Sequence, residues 1–216
     1  MTDAPRGITQ PEVLVGRWVR LERLRPVHAP GLAAAADEDR SSYGFTTVPD
    51  GPEEASAYVV AAMAKERSGR AVPFAAVANG RVVGSTRLLD LDVFTWPRMA
   101  GEQGPAPDDE HPPTVAEIGS TWYAASAQRT PVNTEAKLLL LTLAFETWQV
   151  RRVTLKTDDR NTRSRAAIER LGARFEGVRR AHTPATDGGL RDTAYYSILA
   201  DEWPDVRAGL ERRLLR

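Results

Sequence analysis

Residues 128–172 read QRTPVNTEAKLLLLTLAFETWQVRRVTLKTDDRNTRSRAAIERLG, and this stretch decides the fold. Its pattern predicts a loop, a long apolar helix over residues 134–149, a strand over residues 153–157 and a second helix over residues 161–171. A helix N-terminus presents unpaired N–H groups and the positive end of a dipole, and both favour phosphate. Two such ends beside one strand therefore predict a site for a phosphorylated ligand.

The flanking sequence completes one domain of α+β or mixed α/β class. A strand and two helices are predicted first, and Asn79-Gly80 is a strong hairpin signal between the next two strands. Residues 115–123 alternate as a further strand, and a last hairpin and a short helix follow residue 172. We expect a flexible arm over residues 1–15 and a single domain over residues 16–216, with an inserted loop at about residues 95–114 that is rich in proline and glycine.

The composition excludes several classes of protein. Acidic and basic side chains balance at 29 each, so no bulk charge attracts nucleic acid or an anionic membrane. There is no cysteine, which excludes disulfides and thiolate ligands, and the three histidines show no spacing typical of a metal site. No apolar run is long enough to cross a bilayer, and the N-terminus has no signal-peptide pattern, so we expect a cytoplasmic protein.

One face of the second helix carries Asn161, Ser164, Ile168 and Leu171, because these residues recur at helical spacing. The two polar residues lie at the start of the helix, where ligands bind beside open α/β sheets. The two apolar residues are expected to pack on the sheet. Asparagine is also a favoured N-cap, so a purely structural role for Asn161 stays open.

This spacing, which continues through Arg170 and Gly172, resembles the second half of a GCN5-related N-acetyltransferase (GNAT). Residues 128–133 lie where that family has its pyrophosphate loop, and the sequence Glu-Ile-Gly at 117–119 resembles the strand before it. The sequences Leu-Arg-Pro at 24–26 and Asp-Glu-Trp-Pro at 201–204 resemble the start and end of the Rim-type branch, which acetylates the N-termini of ribosomal proteins. The resemblance covers roughly residues 14–215.

The resemblance implies a strongly bent, mostly antiparallel sheet of six or seven strands, flanked by helices and split in a V between its two central parallel strands. It also implies acetyl-CoA as the cofactor, with no metal. The residues implied to bind this cofactor are Tyr123, Ala125, Gln128, Arg129, Thr130, Val132, Asn133, Thr134, Asn161, Ser164 and Arg165. For Arg129, the role of an ordinary solvated loop arginine stays open.

The chain departs from the family pattern at three positions. Pro131 replaces a loop glycine and Asn133 replaces a glycine or alanine. Proline has no N–H, so one phosphate donor is lost, and we expect Asn133 and Thr134 to supply side-chain hydrogen bonds instead. Ile168 replaces a tyrosine that protonates the leaving thiolate in many relatives. Ser164, one turn earlier, is the remaining candidate acid, although a role in positioning the cofactor is favoured for it.

The chemistry implied by the resemblance is direct attack of an amine on a thioester in a ternary complex. Glu117 is the candidate base, because a half-buried carboxylate beside the cofactor can have a raised pKa. Its alternative role is a strand-end charge paired with an arginine. A backbone N–H near residues 123–125 is expected to hold the carbonyl oxygen. The acceptor is a protein N-terminal α-amine or a small-molecule amine, and the acidic residues 108–110 suggest a cationic one.

The sequence leaves room for two other functions. A catalytically weak CoA-binding sensor or interaction module on the same fold would explain Pro131, Asn133 and Ile168. An ordinary nucleotide-binding protein is disfavoured, because neither the dinucleotide-binding glycine motif nor the P-loop motif occurs. A homodimer is possible.

Overall fold

The computed structural model describes residues 10–93 and 113–215. Within them the chain forms eight strands and five α-helices, in the order β1-β2-α1-α2-β3-β4-β5-α3-β6-α4-β7-β8-α5. The strands are β1 Val13–Val15, β2 Arg20–Arg23, β3 Ala71–Ala78, β4 Arg81–Asp92, β5 Val115–Tyr123, β6 Arg152–Asp158, β7 Arg174–Pro184 and β8 Leu190–Leu199. The helices are α1 Ala29–Asp37, α2 Gly51–Arg67, α3 Pro131–Thr142, α4 Thr162–Leu171 and α5 Trp203–Leu214.

All eight strands form one open sheet in the order β1-β2-β3-β4-β5-β6-β8-β7. Among these described strands only β5 and β6 pair in parallel, and every other neighbouring pair is antiparallel. The predicted mixed α/β class is thus confirmed, with eight strands instead of six or seven. The additional strand is β1, whose residues Val13–Val15 were assigned to the N-terminal arm. They pair with β2 in the register Leu14↔Leu21.

The sheet opens between its two parallel strands. β5 and β6 pair only at their first residues, from Val115 opposite Arg152 to Glu117 opposite Thr154. The rest of β6 pairs with β8 alone. Farther along β5, the register with β4 shifts between Ser85 and Arg87, and Ser120 has a positive φ of 47°. Such a bulge increases the local twist of a strand. The last residues of β5 therefore separate from β6, as the predicted V-shaped split requires.

Helix α3 begins three residues earlier than predicted. Pro131 occupies its first turn and Thr130 is the N-cap, whose Oγ1 accepts the N–H of Val132 at 3.3 Å. The sequence interpretation placed Pro131 in the loop, but proline is well tolerated at the first position of a helix, where its missing N–H has no partner to lose. The α-helix ends at Thr142 and continues as a π-helical turn over Leu143–Thr147.

The helices cover both faces of the sheet. α1 packs against α2 and β4, while α3 packs against α5. The core residues with no exposed surface include Leu21, Phe74, Leu88, Leu140, Leu141, Tyr196 and Ile198. Residues 94–112, which hold most of the predicted inserted loop and all of the acidic residues 108–110, lie outside the described residues, as do residues 1–9. In the described parts of the chain, no helix is long and apolar enough to cross a bilayer.

Candidate active site

Glu117 lies on β5 at the last position where this strand still pairs with β6. The residue is only 4% exposed, and its Oε2 accepts a hydrogen bond from Lys156 Nζ on β6 at 2.7 Å. Burial raises the pKa of the Glu117 carboxyl, and the hydrogen bond and charge of Lys156 offset this only in part. The partner of the predicted base is therefore a lysine and not an arginine. A buried carboxylate with a raised pKa suits a general base.

The space around the Glu117 carboxylate depends on Gly119. A Cβ atom added at Gly119 would lie 2.8 Å from Glu117 Oε1 and 2.9 Å from Leu89 Cδ1. Both contacts are shorter than real Cβ contacts, so any side chain at position 119 would displace the carboxylate. The Glu-Ile-Gly sequence thus pairs the candidate base with the glycine that makes room for it.

The far end of β5 holds Tyr123, the predicted start of the cofactor site. The Tyr123 carbonyl accepts hydrogen bonds from Tyr43 Oη at 3.1 Å and from Gln128 Nε2 at 2.9 Å. The N–H of Ala124 donates to the Val83 carbonyl at 2.8 Å. Of the backbone donors predicted near residues 123–125, that of Ala124 is therefore already occupied. A donor for a substrate oxygen at Tyr123 or Ala125 stays a prediction.

The first predicted phosphate site is the start of α3. Arg129 is exposed and has a positive φ of 60°, an uncommon conformation for a residue other than glycine. In the first turn, Pro131 offers no donor and the N–H of Val132 is held by Thr130. The N–H of Asn133 is the remaining first-turn donor, and no carbonyl within the helix can accept it. The predicted loop is thus a capped helix start that still presents a donor and the positive end of its dipole.

The second predicted phosphate site is the start of α4, and the structure brings it beside the first. Asn161 is the N-cap, and its Oδ1 accepts the N–H of Ser164 at 3.0 Å. Arg163 NH1 reaches Gln128 Oε1 at 3.4 Å, and its NH2 donates to the Ser42 carbonyl at 2.7 Å. One guanidinium therefore links the two helix starts, which are adjacent as the sequence predicted. Asn161 does cap its helix, and a further role in binding stays a prediction.

Comparison with known proteins agrees with this architecture. The sequence profile of the GNAT acetyltransferase domain matches residues 19–174. The chain belongs to the GNAT family. This acetyltransferase is similar to a GCN5-related N-acetyltransferase from Brucella melitensis, with 30% identity, a TM-score of 0.78 and coverage of 97% of this chain and 88% of that one.

Two further relatives are YdaF of Bacillus subtilis and RimJ of Mycobacterium smegmatis. YdaF of Bacillus subtilis, which is named provisionally as a ribosomal N-acetyltransferase, is 38% identical over 88 residues, or 41% of this chain. That alignment spans about half of the relative, 47% of its length. The structure of Mycobacterium smegmatis RimJ in complex with CoA-disulfide has a TM-score of 0.71 at 23% identity, covering 94% of this chain and 91% of that one, and so shares the fold.

Two predicted binding residues of the acetyltransferase have internal partners. Arg165 Nε donates to Tyr196 Oη at 3.0 Å, and its NH1 pairs with Asp159 Oδ1 at 2.6 Å. These contacts draw its guanidinium toward β6 and β8, so its assignment to the cofactor stays a prediction without geometric support. Ser164 is half-buried in the first turn of α4, and its backbone N–H is held by Asn161. The role of its hydroxyl likewise stays a prediction.

Lys156 and Arg163 were not predicted as site residues from the sequence. Lys156 is one of three lysines in the chain and alternates with the apolar residues of β6, so its direction toward Glu117 could be found only by pairing the strands. Arg163 follows the N-cap Asn161, where exposed arginines are common and carry no sequence signal. Among the described residues, no three acidic or histidine side chains converge on a position that could hold a metal ion.

Proposed function

We propose that this acetyltransferase moves an acetyl group from acetyl-CoA to a primary amine and that Glu117 is the general base. The observation that carries the proposal is the position of Glu117. It is buried, has a raised pKa and lies where β5 and β6 part. A base at this position lies at the apex of the split, within reach of a group entering between the two strands.

The two adjacent helix starts support acetyl-CoA as the donor. They offer the first-turn N–H of Asn133 and the positive ends of two helix dipoles, together with the exposed Arg129 and the bridging Arg163. Helix N-termini and arginines are the usual partners of phosphate groups, and CoA carries a pyrophosphate. The related RimJ binds a CoA disulfide, which agrees with CoA as the ligand of this fold.

The reaction needs one proton removed and one returned. Acetyl-CoA would supply the acetyl group as a thioester. The amine nitrogen forms a bond to the carbonyl carbon, the carbon–sulfur bond breaks, and the amine proton passes to the Glu117 carboxylate. Lys156 holds this carboxylate at 2.7 Å and fixes its orientation. The thiolate takes a proton from Ser164 or from water, because Ile168 has none to give.

A protein N-terminal α-amine is the acceptor that the relatives favour, since YdaF is named as a ribosomal N-acetyltransferase. A small-molecule amine is the other acceptor class that the sequence left open. Both are primary amines that must lose a proton before they attack, so both require the same base.

The test follows release of the CoA thiol with peptides that have a free N-terminus, for wild type and Glu117→Gln. We expect kcat/KM to fall by roughly a hundredfold or more, as for loss of a general base. In wild type, kcat/KM should fall on the acidic side with an apparent pKa above the ordinary carboxyl value of 4.5, because burial raises the pKa of Glu117. Glu176→Gln, on an exposed position of β7, is the matched control.

Two results would contradict the proposal in different ways. Full turnover in Glu117→Gln would show that another group is the base. Tight binding of acetyl-CoA without transfer to any acceptor, unchanged by the Glu117 substitution, would instead identify a CoA-binding module.

A further inference from the structure

The face of the sheet that carries Glu117 also carries a buried arginine that the proposed reaction does not use. Leu89 on β4 pairs with Glu117, and Arg87, two residues earlier on the same strand, pairs with Gly119. Residues two apart on a strand share a face. Arg87 is thus a diagonal neighbour of Glu117, and such neighbours lie roughly 7–8 Å apart.

Among the described residues, the guanidinium of Arg87 has no carboxylate as a counter-ion. Its side chain is 5% exposed, and its Cζ lies 4.5 Å from the centre of the Tyr58 ring on α2. Its buried Nε has no hydrogen-bond partner in the described structure, and no carboxylate there forms an ion pair with it. A buried charged donor without a partner is unfavourable, so such a group points to a ligand that completes it.

A second guanidinium lies on this face of the sheet. Arg191 and Tyr195 lie an even number of residues apart on β8, so their side chains share one face of the sheet. Tyr195 pairs with Lys156 of β6, which bonds to Glu117 on that face. The Nε of Arg191 is buried without a hydrogen-bond partner, and burial lowers the pKa of this arginine although Asp158 and Glu117 act against the shift.

The acidic groups that the structure describes on this face are already paired. Glu117 bonds to Lys156, which also lies 3.5 Å from Asp90, and Asp158 pairs with Arg160 at 2.8 Å. Among the described residues, the surplus charge beside the candidate base is therefore positive. The sequence suggested a cationic acceptor, because of acidic residues that lie outside the described structure. The described face instead favours an acceptor with an anionic group.

We infer that the acceptor carries an anionic group, a carboxylate or a phosphate, which binds Arg87 while its amine faces Glu117. This inference rests on the proposed acetyl transfer and names the substrate class. A peptide with an acidic second residue matches this spacing. The distance from its α-amine to its second side chain is about the distance between diagonal neighbours such as Glu117 and Arg87. Arg191 supplies a second cation on the far side of Glu117.

The experiment compares peptide amides that begin Ser-Glu, Ser-Gln, Ser-phosphoserine and Ser-Ser. The first two differ in one carboxylate, and the last two differ in one phosphate. We expect wild type to prefer the anionic member of at least one pair by roughly tenfold to a hundredfold in kcat/KM, as for one charge-assisted hydrogen bond. The pair with the larger ratio identifies the anion.

The ratio of kcat/KM between the anionic and the neutral peptide should fall toward one in Arg87→Gln. It should persist in Arg81→Gln, the matched control at an exposed position of the same strand. Equal rates for both members of each pair in wild type would overturn the inference, and so would a preference that Arg87→Gln retains. If Arg87→Gln does not fold, the wild-type ratios decide, and Arg87→Lys, which keeps the charge, should keep the preference.

Absence of transfer to any of the four peptides would count against the proposed function and not against this inference. In that case, calorimetric titration of the same peptides into the CoA-saturated protein decides. Tighter binding of the anionic members, lost in Arg87→Gln, would support the anion site. Equal or no binding of all four would overturn it.

Discussion

Replacing Lys137 by methionine is expected to stabilise the protein near neutral pH. This lysine lies on α3 with 5% of its side chain exposed, and its Nζ donates to Thr121 Oγ1 at 2.8 Å. No carboxylate in the described structure pairs with it. Burial lowers the pKa of Lys137 from 10.5 to about 7. The folded protein therefore holds this amine in a position that disfavours its charge.

The magnitude follows from the pKa difference. Between pH 7 and pH 10.5 the unfolded chain binds this proton and the folded chain does not, so unfolding is favoured by lower pH. The full penalty, reached below pH 7, is about 5 kcal/mol, since each pKa unit is worth about 1.4 kcal/mol. It falls to about 1.4 kcal/mol at pH 9.5. Methionine removes this penalty but loses the hydrogen bond to Thr121, worth about 1 kcal/mol at every pH.

The variant should thus be more stable than wild type by about 3 kcal/mol at pH 7 and nearly equal to it at pH 9.5. Urea unfolding at both pH values measures the two differences directly. Lys65→Met, at an exposed position of α2, is the control and should show little change with pH. A gap between wild type and Lys137→Met that does not depend on pH, or a wild type that is the more stable at pH 7, would refute the reasoning.

Two further predictions concern the anchoring of the N-terminal segment and the helix starts. The Glu135 carboxylate accepts hydrogen bonds from the N–H groups of Arg17, Trp18 and Val19 at 2.5–2.8 Å. Glu135→Ala should therefore lower the free energy of unfolding by about 3 kcal/mol or more. An unchanged urea midpoint would contradict this. Arg163→Ala should weaken acetyl-CoA binding by roughly tenfold in calorimetry. Arg170→Ala, at the exposed far end of α4, is its control, and equal affinities would refute a phosphate role for Arg163.

Elements with a local cause were predicted well from the sequence. The Asn79-Gly80 turn has the positive φ values that its residue types favour, and Gly172 ends α4 in the left-handed conformation. β5 was predicted with its observed bounds, because its alternation is regular. The start of α3 was wrong by three residues, since Pro131 fits a loop and a first helical turn equally well from sequence alone.

Within the candidate site, Glu117 and the two helix starts were predicted from the sequence, but their surroundings were not. The partners of Glu117 come from β4 and β6, which are distant in sequence, so strand register had to be known before Lys156 or Arg87 could be placed beside it. The same holds for Glu135, whose three donors lie more than a hundred residues away along the chain.

The sequence by itself determined the family and the order of the elements from β2 onward, and it predicted a candidate base, because these depend on residue type and on spacing within a few turns or strands. Only the tertiary structure decided which charges meet. Among the described residues, it buried Lys137 without a carboxylate partner, gave Glu117 a lysine, and left the Nε of Arg87 on the same face without a hydrogen-bond partner. Charge pairing depends on which strands become neighbours and on how much water they exclude, and neither quantity is written in any local pattern.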